Sequence, residues 1–330
     1  MIVADPRRTW VAERADIFIQ HKPGTDNMLI NAMMRHILDE GLHDSEFIAS
    51  RCENFEAFRA NLDGFSVEEA AEVCDVDVDL IRRAAEMYAQ GEPSGIYYTL
   101  GITEHTSGTE NVMNLANLAM LTGQIGKPSS GVNPLRGQNN VQGGCDMGAM
   151  HMSFPGYQKV VDDDVRLKFT EAWKVEMPTN KGGRIPDMVE AADDGSLRGL
   201  YVFGEDPATS EPNQATVIAS LEKLDFMAVQ EIFMTETAKL ADVVLPATTF
   251  AEKDGTFTNT ERRVQRVRKA VDPPGQARPD WQILCLVSTA MGHPMSYANA
   301  GEVFAEMASL SPSYGGMSYE RIDEVGLQWP

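Results

Sequence analysis

The stretch Gly131–Met150, GVNPLRGQNNVQGGCDMGAM, decides how this chain is read. Five glycines (131, 137, 143, 144 and 148), three asparagines, two glutamines and one proline surround a single cation, Arg136. Its first half follows neither the period of a strand nor that of a helix, so neither element is expected there. Glycine at this density lets backbone approach a ligand closely or take up a positive φ. The amides offer donors and acceptors, and the arginine offers a planar fork that stays charged. Two readings fit: a long surface loop between domains, or a polar loop at a domain junction that holds an anionic ligand on Arg136.

The bulk numbers narrow the class. A length of 330 residues predicts about two domains. A hydrophobic content of 43% and a charged content of 23% are those of an ordinary globular protein. The net charge of −21 argues against nucleic acid and against an anionic membrane face as partners. No apolar run is long enough for a transmembrane segment. The four cysteines (52, 74, 145 and 285) form no CxxC, which excludes a self-contained iron–sulfur cluster or zinc ribbon of usual spacing. They read as free thiols in a reducing, cytoplasmic compartment. The opening MIVADPRRTW has no apolar signal region and reads as a strand entered in mid-sheet, so the amino terminus is expected to be incomplete and the periplasm stays open.

Taken in order, residues 2–4 read as a strand, followed by a turn at Asp5-Pro6-Arg7 and an amphipathic stretch to residue 19. An acidic residue at the carboxyl end of such a strand is where a ribose or purine is read, which fits Asp5 and Arg7. A turn at Gly24-Thr25-Asp26 then opens a helix with Leu29, Ile30, Met33, Met34, Ile37 and Leu38 on one face. Its amino terminus suits a phosphate. Residues 44–91 read as three scaffold helices, with a capping box at Ser66 and Glu69. A strand at 95–101 feeds a polar turn and a helix, a second strand–loop–helix unit.

Beyond the signature, strands at 199–203 and 226–230 end in turns, with helices between them. That pattern predicts a second nucleotide-type domain, in which Gly204 permits close approach, Asp206 can pair with a base edge and Ser210 can reach phosphate or ribose, with ordinary turn chemistry as the other reading. Gln230 and Glu231 end the next strand, suited to a ribose or purine. No GxGxxG or GxxxxGK[ST] precedes a helix, which weighs against NAD or ATP. The only basic run is Arg262, Arg263, Arg266, Arg268 and Lys269.

NPLRGQNNVQGGCDMGAM resembles the signature of formate dehydrogenase catalytic subunits of the molybdopterin oxidoreductase superfamily. The likeness extends from VADPRRTWVAERADI through GEDP, QEIFMTETAKLADVVLP and GTFTNTERRVQ to the closing LQWP. It implies an α/β fold with two nucleotide-binding-type domains of mostly parallel sheet, residues 1–135 and 136–330. It implies molybdenum or tungsten held by two molybdopterin guanine dinucleotides, formate as substrate and electron-transfer subunits as partners. On the matching motifs, Asp5, Arg7, Gly24, Thr25, Asp26, Gly101, Glu104, Gly137, Gly204, Asp206, Ser210, Gln230 and Glu231 are expected to hold cofactor. Many relatives carry glutamine where this chain has Glu104, and the basic run resembles a stretch that helps hold the cofactor's anionic groups.

Arg136 is expected to hold formate through two charge-assisted hydrogen bonds, with Gln138 assisting. The family's metal-ligating cysteine or selenocysteine sits beside a histidine upstream, so no metal ligand is expected here and Cys145 reads as structural. The iron–sulfur region and a carboxyl-terminal barrel are likewise expected outside these residues, which would leave the isolated chain inactive. The rivals are a sibling enzyme acting on nitrate and a non-catalytic cofactor-binding scaffold.

Overall fold

The computed structural model describes residues 1–329, which form two compact units, one from Met1 to Gly137 and one from Gln138 onward. In the first, strand β1 (Ile2–Ala4) pairs in parallel with β2 (Ile17–Ile19) in the register Ile2 to Ile17 and Ala4 to Ile19. The amphipathic stretch expected before residue 19 is instead a single helical turn, Ala12–Arg14, followed by this strand. Ile17, Phe18 and Ile19 have the β-branched and aromatic character that strands favour, and β1 supplies their partner.

Helix α1 (Asp26–Asp39) buries Leu29, Ile30, Met33, Met34 and Ile37, the face read from its spacing. Thr25 stands at its N-cap, but the hydroxyl donates to the Lys22 carbonyl at 2.7 Å instead of capping a helical N–H. Four helices follow where three were expected: α2 (Ser45–Arg51), α3 (Phe55–Leu62), α4 (Val67–Cys74) and α5 (Val78–Ala89). The extra break falls at Asn54, which takes a left-handed φ of 58°. Ser66 accepts from the Glu69 N–H, the forward half of the expected capping box, and Asp77 caps α5 by accepting from the Asp79 N–H.

Strand β3 (Gly95–Tyr98) is followed by a short α6 (Leu100–Thr103) and by α7 (Gly108–Leu121), which buries Leu115, Leu118 and Leu121. β4 (Gly131–Pro134) then pairs in parallel with β3, Gly95 opposite Gly131 and Tyr98 opposite Pro134. The expectation that Gly131 begins an irregular run is therefore overturned for these four residues. Pro134 ends the strand, where its missing N–H interrupts little.

The second unit opens with α8 (Val141–Asp146), a hairpin of β5 (Ser153–Phe154) and β6 (Gln158–Lys159), then α9 (Asp163–Trp173) and α10 (Ile185–Asp193). Its main sheet is parallel, β7 (Gly199–Phe203), β8 (Phe226–Glu231) and β9 (Val243–Pro246) in that order. Helices α11 (Pro207–Ser210), α12 (Gln214–Leu221) and α13 (Glu236–Leu240) make the crossovers. Val202, Val217, Leu221, Met227, Val229 and Ala238 form the core beneath.

An antiparallel sheet follows, β10 (Gly255–Thr258), β11 (Arg263–Val267) and, after α14 (Asp280–Ala290) and α15 (Ala300–Leu310), β12 (Leu327–Gln328). The basic run is thus largely a strand whose cations face acids of its own unit. Arg263 meets Glu261 at 2.7 Å, Arg268 meets Asp323 at 2.6 Å, and Arg266 lies between Asp254 and Asp323 over the Tyr319 ring. That internal pairing, with Lys269 on Asp272, engages four of the five cations, while Arg262 stands outside it over the Trp329 ring. No helix among the described residues is long and apolar enough to cross a membrane.

Candidate cofactor and substrate site

The sequence-predicted residues of the first unit gather at the carboxyl ends of its parallel strand pairs. Beyond β1, the Asp5 carboxylate accepts from the Arg7 N–H at 2.7 Å, which folds the turn and leaves the Arg7 side chain exposed. Gly24 holds a φ of 83° with nothing within 4 Å of where a Cβ would stand, so the backbone there is open to a ligand. Gly101, after β3, is equally open, and Glu104 is exposed. After β4, the Leu135 N–H donates to the Tyr98 carbonyl at 2.7 Å, extending the ladder by one bond before the chain turns outward. Arg136 and Gly137 follow, both exposed, and Arg136 enters none of the ion pairs among the described residues.

Asp26 is the exception, because it points inward. It is 8% exposed, one oxygen lies 3.3 Å from His21 Nε2, and the other is buried without a hydrogen-bond partner, 3.9 Å from His105 Nε2. Burial pushes its carboxyl up, and the hydrogen bond and charge of His21 more than reverse this, holding it below the usual carboxylate range. His105 Nε2 donates to the Gly101 carbonyl oxygen at 2.9 Å. The cluster therefore joins the turn at Gly24 to the turn at Gly101. Sequence reasoning gave His21 and His105 no role, and no spacing rule connects HKPGTD with EHTSG.

In the second unit Gln138 is exposed at its first residue. Gly204 ends β7 with a φ of 63°, open space at its Cβ position, and its N–H bonded to the Gln230 carbonyl at 2.9 Å. Ser210 donates to Glu205 at 2.7 Å on the exposed side of the turn, and Glu231 accepts from the Ile232 N–H at 2.6 Å. Asp206 instead braces the turn, accepting from the Thr237 N–H at 2.9 Å and hydroxyl at 2.6 Å. Burial raises its carboxyl, and these bonds outweigh burial and leave it below the usual range. Gln230 is fully buried: its amide N–H donates to Asp280 at 2.9 Å, Tyr201 donates to its carbonyl, and Asp280 in turn holds Lys253. In this conformation its side chain supports the turn from within.

In the first unit the donor set suits an anionic cofactor: open glycine backbone at positions 24 and 101, with the exposed guanidinium groups of Arg7 and Arg136; the second unit, taken by itself, offers the open backbone of Gly204. No group of three or more His, Cys, Asp or Glu suited to a metal ion exists among the described residues, so any metal would rest on the cofactor's own donors or on residues other than these. These features define a class, an α/β protein whose open turns at the carboxyl ends of parallel strands are of the kind that takes nucleotide-type cofactors.

The chain belongs to the molybdopterin oxidoreductase family, whose model matches residues 1–290. Membership implies a molybdopterin cofactor. The chain is 48% identical over 332 residues to the F420-dependent formate dehydrogenase subunit alpha of Methanocaldococcus jannaschii, covering all of this chain and 49% of that protein. It is 44% identical over 332 residues to formate dehydrogenase H of Escherichia coli, covering all of this chain and 46% of that one. Acetylene hydratase from Pelobacter acetylenicus shares the fold, with a TM-score of 0.73 at 21% identity over 99% of this chain and 47% of that chain. The chain spans about half the length of the curated relatives it matches.

Proposed function

We propose that this chain is part of a formate dehydrogenase catalytic subunit that interconverts formate and CO2, with Arg136 holding the substrate carboxylate. The observation that carries this reading is the state of Arg136: exposed, outside every described ion pair, and seated directly after a strand end. The formate dehydrogenase names of its relatives support it. A planar guanidinium presents two parallel N–H groups to a planar carboxylate, which fixes where the C–H bond points as well as binding the charge. Gln138, two residues on, adds an amide to the same orientation.

The cofactor is read as molybdenum or tungsten on two molybdopterin guanine dinucleotides. When bound, that group supplies the two-electron redox chemistry. The first unit offers Asp5, Arg7, Gly24, Thr25, Gly101, Glu104 and Gly137 toward it, with Asp26 bracing the turn behind. The second offers Gly204, Ser210 and Glu231, with Asp206 and Gln230 as internal braces. Electron-transfer subunits are the expected protein partners. The four cysteines are all free, which supports a reducing, cytoplasmic setting.

The test is formate-dependent dye reduction, with metal analysis, on the full-length gene product and its Arg136→Lys variant. Lysine keeps the charge and loses the fork. Loss of one charge-assisted hydrogen bond predicts that kcat/KM for formate falls by about 10- to 100-fold. Unchanged turnover would remove Arg136 from the site.

A further inference from the structure

Asp146, the last residue of α8, is fully buried, yet no lysine or arginine pairs with it among the described residues. It is surrounded by neutral donors. Oδ1 accepts from Gln142 Nε2 and from the Tyr157 hydroxyl, each at 2.9 Å. Oδ2 accepts from the Tyr314 hydroxyl at 2.6 Å and from the Trp329 indole N–H at 3.1 Å. An ionised carboxylate has about four lone-pair sites, and here four donors meet them. An indole N–H can only donate, so the Trp329 contact, like the other three, is made to an acceptor position of the carboxyl oxygens.

The contacts also form a closed ring. The Tyr314 hydroxyl lies 2.9 Å from Thr258 Oγ1 on β10. The Thr258 N–H donates to Asn140 Oδ1 at 2.9 Å, and Asn140 precedes α8 with a left-handed φ of 57°. From Asn140, α8 returns to Asp146, with the Gly144 N–H bonded to the Asn140 carbonyl at 2.9 Å. Gly143 is required for the hook at the helix start, because a Cβ there would lie 2.2 Å from Asn140 Oδ1. The Val141 N–H, bonded to the Gln138 carbonyl at 3.3 Å, ties the preceding turn to this frame.

We propose that Asp146 is a positioning residue: its buried carboxylate closes the ring that fixes both ends of α8 and thereby the turn that carries Gln138. A buried carboxyl oxygen is costly unless its acceptor positions are filled, so the loss of one donor weakens the others and the ring holds as one piece. Asparagine at this position would turn an N–H group toward donors, opening the ring without changing the side chain's shape. The bearing on turnover rests on the reading of Gln138 as an orienting amide.

The test is amide hydrogen exchange on the full chain, comparing the parent with Asp146→Asn and Tyr314→Phe. The second variant keeps the carboxylate and three of its donors and removes the Tyr314 hydroxyl, which is both the fourth donor and the link to Thr258, so it serves if the first does not fold. Exchange at the Val141 and Gly144 amides is expected to quicken about tenfold or more, with α1 unchanged. Unaltered exchange at both amides in both variants overturns the proposal. In the full-length enzyme, kcat/KM for formate in Asp146→Asn combined with Gln138→Ala should fall within about twofold of Gln138→Ala alone. Fully additive losses would make Asp146 a general stabiliser and overturn the positioning role. If Gln138→Ala itself leaves turnover unchanged, the amide's part in the formate reading fails, and the exchange result alone decides Asp146.

Discussion

His21 Nε2 and Asp26 Oδ1 lie 3.3 Å apart at the start of α1, both side chains buried. Because the pair holds the Asp26 carboxyl below its ordinary value of 3.8, its contribution to stability has a definite sign. The folded-state value is depressed, so the stabilisation is present above the unfolded value and is lost as pH falls through the folded one. Urea unfolding of the parent should therefore weaken between roughly pH 5 and pH 3 more steeply than that of Asp26→Asn. Parallel pH profiles would show that the pair carries no such linkage.

Two glycines beside one turn should behave in opposite ways. A Cβ on Gly108 would stand 1.9 Å from the Thr103 carbonyl oxygen and 2.8 Å from its carbon, which are backbone atoms with little room to give. Gly108→Ala should cost about 1–3 kcal/mol, read by denaturant unfolding. Gly101→Ala meets nothing within 4 Å, so stability should change by less than about 0.5 kcal/mol. On the proposal that Gly101 faces the cofactor, that same variant of the full-length enzyme should retain less molybdenum or tungsten.

Burial, followed by the Asp146 hydrogen bond and charge, pushes the Tyr157 phenol up to about 12 from an ordinary 10.0. A raised folded-state value means stability that is complete below the unfolded value and is lost as pH rises through the folded one. Between about pH 10 and pH 12 the parent should lose stability that Tyr157→Phe does not. Absorbance titration of the phenolates, with unfolding measured alongside, checks both halves of the statement.

Met34 lies in α1 with no exposed surface, in the core shared with Ala70, Ile81 and Leu118. Met34→Ala should destabilise the first unit by about 2–5 kcal/mol, the cost of lost burial plus the cavity left behind. Leu38, on the same helix but only partly buried, should cost less when truncated. Equal losses at the two positions would mean that the core closes around the gap.

Local periodicity carried the helices well. The apolar face of α1 and the cap at Ser66 involve residues within a few positions of each other, so a window of sequence contains the whole cause. β4 was hidden because Gly131 and Pro134 are poor strand residues, and the strand exists only because Gly95–Tyr98 lies alongside. The candidate site divides in the same way. Arg136 was legible as the lone cation of a polar run, and Gly204 as a strand-end glycine with room around it. The inward direction of Gln230 was not, because it depends on Asp280, 50 residues further along the chain. Nor were the partners of the basic run legible, since Asp323 reaches Arg268 across 55 positions.

The strand pairs of the first unit have a consequence of their own. Each is a ribbon of two parallel strands, so its outer flanks meet no further strand among the described residues. Backbone donors and acceptors along such a flank are a template that any extended polypeptide can join. Three residues in β1 and four in β3 offer a visitor too few rungs to hold, and Pro134 withholds a donor at the tip of β4. Brevity here acts as protection against self-association, and a change that lengthened the ribbon past Pro134 would exchange a quiet margin for an aggregation seed.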